Sequence, residues 1–327
     1  MLIDPLDILE QFPVRKTKAQ KAAFRTAVRV YAEKMGYSVS VEKGSFGACN
    51  MLLGNPEKAR YLVTAHYDTC ARMLFPNLIT PCNMLPYLGY QFLLMLMIAL
   101  CSVALAFLEA VVLAGITMLF GRNLGDAWVI FVGLVAPGLI WANVFLLILL
   151  LLIGPSNKKN ANDNTSGVVT LLEIARTMPE NQRHKVCFVL FDLEEAGLLG
   201  SGSYRRRHRK TTENQLVLNL DCVGDGDNLR MFPTKKLFRD RQKLTSLYKA
   251  CGYFGKKSLL VHEKGNYVYP SDQKNFPYGV GICALQKKKK LLYMSRIHTS
   301  KDTILDETNV NILRAALTTF ICCDEVN

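Results

Sequence analysis

Two long apolar runs in the middle of the chain limit what it can fold into more than any other feature. From Pro86 to Phe120 the sequence carries a single charge, Glu109, and from Trp128 to Ile153 it carries none. A helix rises about 1.5 Å per residue, so the second run reaches roughly 39 Å, enough to cross a hydrocarbon core of about 30 Å with some tilt. The first run is longer than one crossing needs, which places its Tyr87 and Tyr90 end in the membrane interface. Between the runs, GRNLGDA is a short, Gly-rich polar turn of the kind a helical hairpin requires. A buried helical pair in a soluble protein is the alternative, but apolar runs beyond about 18 residues are rare there.

The flanking charges set an orientation. The turn holds Arg122 and Asp126, whereas Arg72 precedes the hairpin and Lys158 and Lys159 follow it. Basic residues near membrane helices stay on the cytoplasmic side. The chain is therefore expected to be an integral protein of the cell membrane with two transmembrane helices and both flanks in the cytoplasm. Residues 1–84 and 154–327 read as two parts of one soluble domain, and residues 85–153 as a hairpin inserted into it.

A formal net charge of +13, with few aromatic-basic clusters, suits an anionic membrane surface at least as well as nucleic acid. The expected partner is the lipid bilayer, with no nucleic acid. RRRHRK at 205–210 and KKKK at 287–290 are candidates for contact with anionic lipid. The ten cysteines form no CxxC pair and no CxxC…HxxxH pattern, which speaks against zinc fingers and disulfide scaffolds and for a reducing compartment. MLIDPLDILEQFPVRK puts acids first and lacks a long apolar core, so it makes a poor signal peptide.

Outside the hairpin the patterning changes. Residues 16–35 read as a basic amphipathic helix, residues 37–43 and 49–54 as short β stretches, and Tyr61 to Ala65 as an apolar strand that stops at His66-Tyr67-Asp68. Beyond the hairpin come a helix from Ser166 to Met178, a strand from Val186 to Phe191, a helix near Leu198 to Arg207 and a strand from Leu216 to Leu220. Such alternation predicts an α/β sheet.

Acidic residues and histidines recur where those strands end. His66 and Asp68 follow one strand, Glu194 and Glu195 follow another within FDLEE, and Asp221 closes a third within LNLDC. In open α/β sheets, ligands gather at the carboxyl ends of strands. Asp163 in ANDNTSG and His298 in IHTSKDT complete the set. Histidine nitrogen and carboxylate oxygen are zinc donors, and a two-metal site needs about six such groups converging. Any one of them alone is more often a helix cap or a solvated side chain; the order and context of His66, Asp163, Glu194, Glu195, Asp221 and His298 together carry the inference. His66 precedes the hairpin and Asp163 follows it, so the chain must return to the side it left, which only an even number of crossings allows.

TAHYDT, NDNTSG, FDLEEAGLLGS, NLDCVG, SDQKNF and IHTSKDT together resemble the M28 zinc peptidases, a family that includes bacterial leucyl aminopeptidases and glutamate carboxypeptidase-like enzymes. The resemblance extends over nearly all of the soluble part. It implies an α/β fold of the zinc-peptidase/phosphorylase-hydrolase-like kind, with a mixed central sheet flanked by helices, here interrupted by the two-helix transmembrane hairpin. It also implies two Zn2+ ions and a peptide substrate. Asp163 would bridge the ions, His66 and Asp221 would complete one shell, Glu195 and His298 the other, and Glu194 would act as general base. The peptide bond after Asp163 would be cis. Asp68 is expected to orient the His66 imidazole. Asp272 and Phe276 in SDQKNF are candidate substrate contacts, although Gln273 stands where the family often has histidine. The implied activity is that of an aminopeptidase, with dipeptidase or carboxypeptidase specificity open. A glutaminyl cyclase-like enzyme of this fold uses one zinc ion, and a non-catalytic receptor or scaffold would be expected to lose ligands that this chain keeps. Two crossings with one acidic residue between them do not suit a transporter.

Overall fold

A computed structural model describes residues 4–73, 75–119, 125, 135–263 and 266–323. Apart from Gly125, the GRNLGDA turn with Arg122 and Asp126 lies outside the described residues. The chain divides into two units, Met1–Met84 with Ser156–Asn327, and Leu85–Pro155.

The first unit opens with helices α1 (Pro5–Glu10) and α2 (Lys18–Lys34). Thr17 and Gln20 form a reciprocal capping box that starts α2, which then buries Phe24, Val28, Tyr31 and Ala32 at helical spacing. Strands β1 (Val39–Lys43), β2 (Cys49–Leu53) and β3 (Tyr61–His66) follow. Helices α3 (Met84–Leu119) and α4 (Ala136–Ile153) come next. Then the chain forms α5 (Gly167–Thr177), β4 (Val186–Phe191), α6 (Leu199–Arg207), β5 (Leu216–Leu220) and β6 (Asn228–Pro233). Two short helices, α7 (Lys235–Arg239) and α8 (Arg241–Leu247), precede β7 (Gly252–Phe254), β8 (Lys257–Val261), β9 (Gly279–Lys288), β10 (Leu291–Tyr293) and a closing helix, α9 (Glu307–Cys323).

These strands form one mixed sheet in the order β1-β2-β4-β3-β5-β9-β6-β8-β7, with β10 paired to β9. The centre is parallel, β4 with β3, β3 with β5 and β5 with β9, and antiparallel pairs flank it. Alternate residues feed opposite faces, as a pleated strand requires. Val186, Phe188 and Leu190 join a core with residues of α2, α5 and α9, while Cys187, Val189 and Phe191 join a second cluster with Tyr204 and Phe276. Both faces are covered, which is why VCFVLF reads as a continuous apolar run. In register, His66 lies opposite Phe191 and Thr64 opposite Asn219. Strands β3, β4 and β5 therefore end on one edge, and the segments leaving them are the three that carry carboxylates.

A buried ion pair anchors that edge. Lys21 Nζ on α2 lies 2.7 Å from Asp192 Oδ1, just past β4, and Asp192 Oδ2 accepts the Cys49 backbone N–H at 3.0 Å. Lys21→Met is expected to cost about 3–5 kcal/mol, because the Asp192 carboxylate is left buried without its cation. Denaturant unfolding of the purified chain reads this loss, and replacing Asp192 by Asn in the same protein should recover part of it.

In the second unit, α3 and α4 are long and apolar enough to cross a membrane. Phe92, Phe107, Trp141 and Phe145 point outward from them. Asn143, itself buried, donates from Nδ2 to Glu109 Oε2 at 3.2 Å, so the one acidic residue of the apolar runs has a polar partner on the other helix.

The two basic runs differ. In RRRHRK, Arg205 pairs with Glu213 at 2.6 Å, Arg207 with Glu42 at 3.2 Å, and His208 sits between Glu42 and Glu57 at 2.9 and 3.0 Å. Acids of the same unit thus answer part of its charge. Lys287 to Lys290 are exposed where β9 turns into β10.

Candidate metal centre

His66 closes β3, Glu194 and Glu195 stand just past β4, and Asp221 directly follows β5. Shared register brings them to one place. His66 Nε2 lies 3.3 Å from Asp163 Oδ1 and 3.5 Å from Asp221 Oδ1. His298 Nε2 lies 2.9 Å from Asp163 Oδ2 and 3.4 Å from Glu195 Oε2. The two oxygens of Asp163 thus face different histidines, and each histidine faces a further carboxylate. Donor atoms of His66, Asp163 and Glu195 all lie within 4.8 Å of one another.

Local hydrogen bonds hold Asp163 there. Asp302 accepts the backbone N–H groups of Asn162 at 2.7 Å and Asp163 at 3.0 Å. Asn164 donates to Leu220 O at 2.9 Å and to His66 O at 3.4 Å, and its Oδ1 accepts from Gly167 N and Cys222 N. Glycine is needed at 167, since a Cβ would come 2.4 Å from Leu220 O. The peptide bond between Asp163 and Asn164 is cis, as the resemblance implied. Leu193, Cys222 and His298, all non-glycine, have φ of 55°, 55° and 62°, a left-handed backbone that concentrates where surrounding structure imposes it.

Asp68 has a broader task than expected. Its Oδ1 lies 3.6 Å from His66 Nδ1, but the two carboxylate oxygens also accept the backbone N–H groups of Glu194 at 3.1 Å and Glu195 at 3.3 Å. It positions the glutamate loop at least as directly as the imidazole.

Crowded carboxylates dominate the electrostatics. Burial pushes Glu194 well above the usual carboxyl range, Glu195 up to about 8, Asp302 up to about 8 and Asp272 up to about 7. Burial also opposes ionisation of Asp163, but hydrogen bonds from His298 and His66 outweigh it and hold that carboxyl far below the usual range. Burial disfavours the charged forms of His66 and His298, yet Glu194 for the first and Glu195 for the second, with Asp163, outweigh it; His298 rises to about 10. A divalent cation is the counter-charge such a cluster calls for. Glu195 Oε1 is buried without a hydrogen-bond partner among the described residues, and the imidazole-carboxylate donor set suits zinc.

The substrate candidates separate. Asp272 is fully buried beside the cluster, with His66, Asp68 and Asp221 acting on its charge. Phe276 is a correction: it is 2% exposed, and its ring stacks on Phe191 at 6.0 Å and contacts Tyr204, so packing occupies the faces a substrate would need. Gln273 is also buried, accepting from Asn219 Nδ2 and donating to Tyr269 O. It ties the late loop to β5.

Several contributors lay outside the expected set. Arg15, fully buried, donates to Tyr67 O at 2.5 Å and to Thr165 Oγ1 at 3.3 Å, linking the HYDT and NDNTSG segments, while burial lowers its guanidinium to about 10. Asp302 sits inside IHTSKDT, where its place beside His298 was the available signal. Arg15 and Lys21 carry no local pattern that separates them from ordinary surface charges, and Asp192, though inside FDLEE, has nothing near it in sequence that points to Lys21.

Comparison with known proteins bears on the fold and the family. A stretch of 67 residues is 39% identical to aminopeptidase YwaD of Bacillus subtilis (strain 168), covering 20% of this chain and 15% of that protein. The fold is similar to that of a leucine aminopeptidase precursor from Bacteroides thetaiotaomicron, with a TM-score of 0.57 at 16% identity over 98% of this chain and 95% of that one. It is equally similar to Porphyromonas gingivalis glutaminyl cyclase, with a TM-score of 0.58 at 14% identity over 98% and 96%. Residues 151–320 match Peptidase family M28, a stretch that holds every candidate ligand except His66. With more than half of its length in that match, the chain belongs to peptidase family M28.

Proposed function

We propose that this chain is a membrane-anchored aminopeptidase that holds two zinc ions and hydrolyses peptide bonds. The observation that carries the reading is Asp163, whose two oxygens face different histidines. One ion would take His66, Asp163 and Asp221, and the other Asp163, Glu195 and His298. When bound, such ions acidify a water and polarise the scissile carbonyl.

Glu194 is the proton carrier. It immediately precedes Glu195 on the loop but is not needed as a ligand, and its carboxyl, raised by burial, is suited to take a proton from water and pass it to the departing amine. Asp68 fixes the loop that presents it. Asp272, buried beside the cluster with its carboxyl raised to about 7, is the candidate partner for the substrate's terminal ammonium, whose arrival would favour its ionised form.

The test is hydrolysis of free and amino-blocked peptides by the purified full-length chain in detergent, with and without chelator, beside a measurement of zinc per chain. Cleavage confined to free amino termini, lost with chelator and accompanied by two zinc ions, is expected. One zinc ion per chain with cyclisation of amino-terminal glutamine would favour a glutaminyl cyclase-type enzyme instead. Asp68→Asn is expected to lower metal affinity or kcat by about 10–100-fold; equilibrium dialysis and steady-state kinetics distinguish the two.

The hairpin is proposed to cross the cell membrane twice and leave the metal centre in the cytoplasm, with Arg72, Lys158 and Lys159 near its inner ends. Tags at the two termini should both resist an impermeant label on intact cells and both react once the cells are opened. Labelling of a single terminus on intact cells would contradict two crossings.

A further inference from the structure

We propose that Cys70 supplies a sulfur ligand to the ion held by Glu195 and His298, so that the two halves of the metal pair differ in donor chemistry. This rests on the two-ion reading above and adds a residue to it. The Cys70 sulfur, a carboxylate oxygen of Glu195 and a ring nitrogen of His298 all lie within 4.8 Å of one another. Donors about 2.0–2.3 Å from an ion at the centre of a tetrahedron stand about 3.3–3.8 Å apart. The His298 Nε2 to Glu195 Oε2 separation, 3.4 Å, already matches, and with Asp163 also on that ion the sulfur would be its fourth protein donor.

A second observation separates Cys70 from the other buried cysteines. Cys187, Cys222 and Cys283 each pack into an apolar cluster, which accounts for their burial. Cys70 is 3% exposed yet belongs to none of the hydrophobic clusters among the described residues. Its sulfur instead approaches Asn160 Oδ1 at 3.7 Å, a weak contact. The backbone holds it in place on both sides: Cys70 O accepts the Asn157 N–H at 3.2 Å, Ala71 bridges to Ser156, and Met73 N–H donates to His298 O at 2.7 Å. The segment carrying Cys70 is thereby tied directly to the loop carrying His298.

Coordination releases the thiol proton to solvent, and a sulfur donor favours zinc over magnesium or manganese at that half of the pair. Cys222 is the internal rival, since its sulfur stands near Asp163 and Asp221, but its packing against an aromatic cluster gives it another reason to be there.

Cobalt reads the difference. The full-length chain in detergent, stripped by chelator and titrated with Co2+, should show visible d–d bands and an intense near-ultraviolet sulfur-to-cobalt band. Cys70→Ser should lose the near-ultraviolet band and keep the d–d bands, while Cys222→Ser should keep both. Visible bands without the sulfur band in the unsubstituted chain would overturn the proposal and leave the metal centre standing. A sulfur band that survives Cys70→Ser would also overturn it. Failure of cobalt to bind at all would remove the metal centre itself, and the Cys70 ligand with it.

Discussion

Glu194→Gln is expected to lower kcat by about 10²–10⁴-fold while the protein keeps its full complement of metal. The substitution preserves size and one acceptor oxygen but removes the capacity to carry a proton. Glu195 remains to hold its ion, Asp68 still receives the backbone N–H groups of both positions, and the loop keeps its shape. The loss should therefore appear in kcat with KM little changed, the pattern of an interaction made in the transition state. Metal analysis on the same preparation is the necessary companion. Full hydrolysis with zinc still bound would remove Glu194 from the mechanism, whereas lost activity with lost zinc would make it a ligand.

Asp163→Ala should be more drastic, emptying both halves of the site. Groups that merely orient a ligand cost about 10–100-fold in metal affinity when removed. Loss of a carboxylate shared by two ions must exceed that, because His66 and His298 each lose the oxygen they face at 3.3 and 2.9 Å. The fold should survive, since Asp302 binds the backbone of this loop and Asn164 makes its interstrand contacts through its own side chain. Metal content after gel filtration, measured beside circular dichroism, separates ligand loss from unfolding. A folded Asp163→Ala protein that retained two tightly held ions would show that this carboxylate does not join them.

The parts of the site that lie next to strand ends were legible because strand ends are local. VCFVLF followed by DLEE announces both a buried strand and the acids beyond it, and the register of β3, β4 and β5 then places those acids on one edge. The supporting residues were not legible. Lys21 meets Asp192 across 171 positions of sequence, and Arg15 reaches Thr165 across 150, with no periodicity or motif to connect them. Phe276 shows the reverse case: a residue within a recognised motif was expected at the pocket, but its ring packs in the aromatic cluster behind β4. In RRRHRK the sequence displays charge without its neighbours, and Glu42, Glu57 and Glu213 become neighbours only on folding.

Composition and order by themselves determined the apolar hairpin, the α/β alternation and the residue types gathered at strand ends, since each follows from patterning within a few residues. Tertiary structure alone decided which oxygen of Asp163 faces which histidine, that Asp68 grips the glutamate loop, and that Cys70 lies beside Glu195 and His298. Those relations depend on strand register and on loop backbones fixed by distant hydrogen bonds, and distances between side chains far apart in sequence have no counterpart in any local pattern.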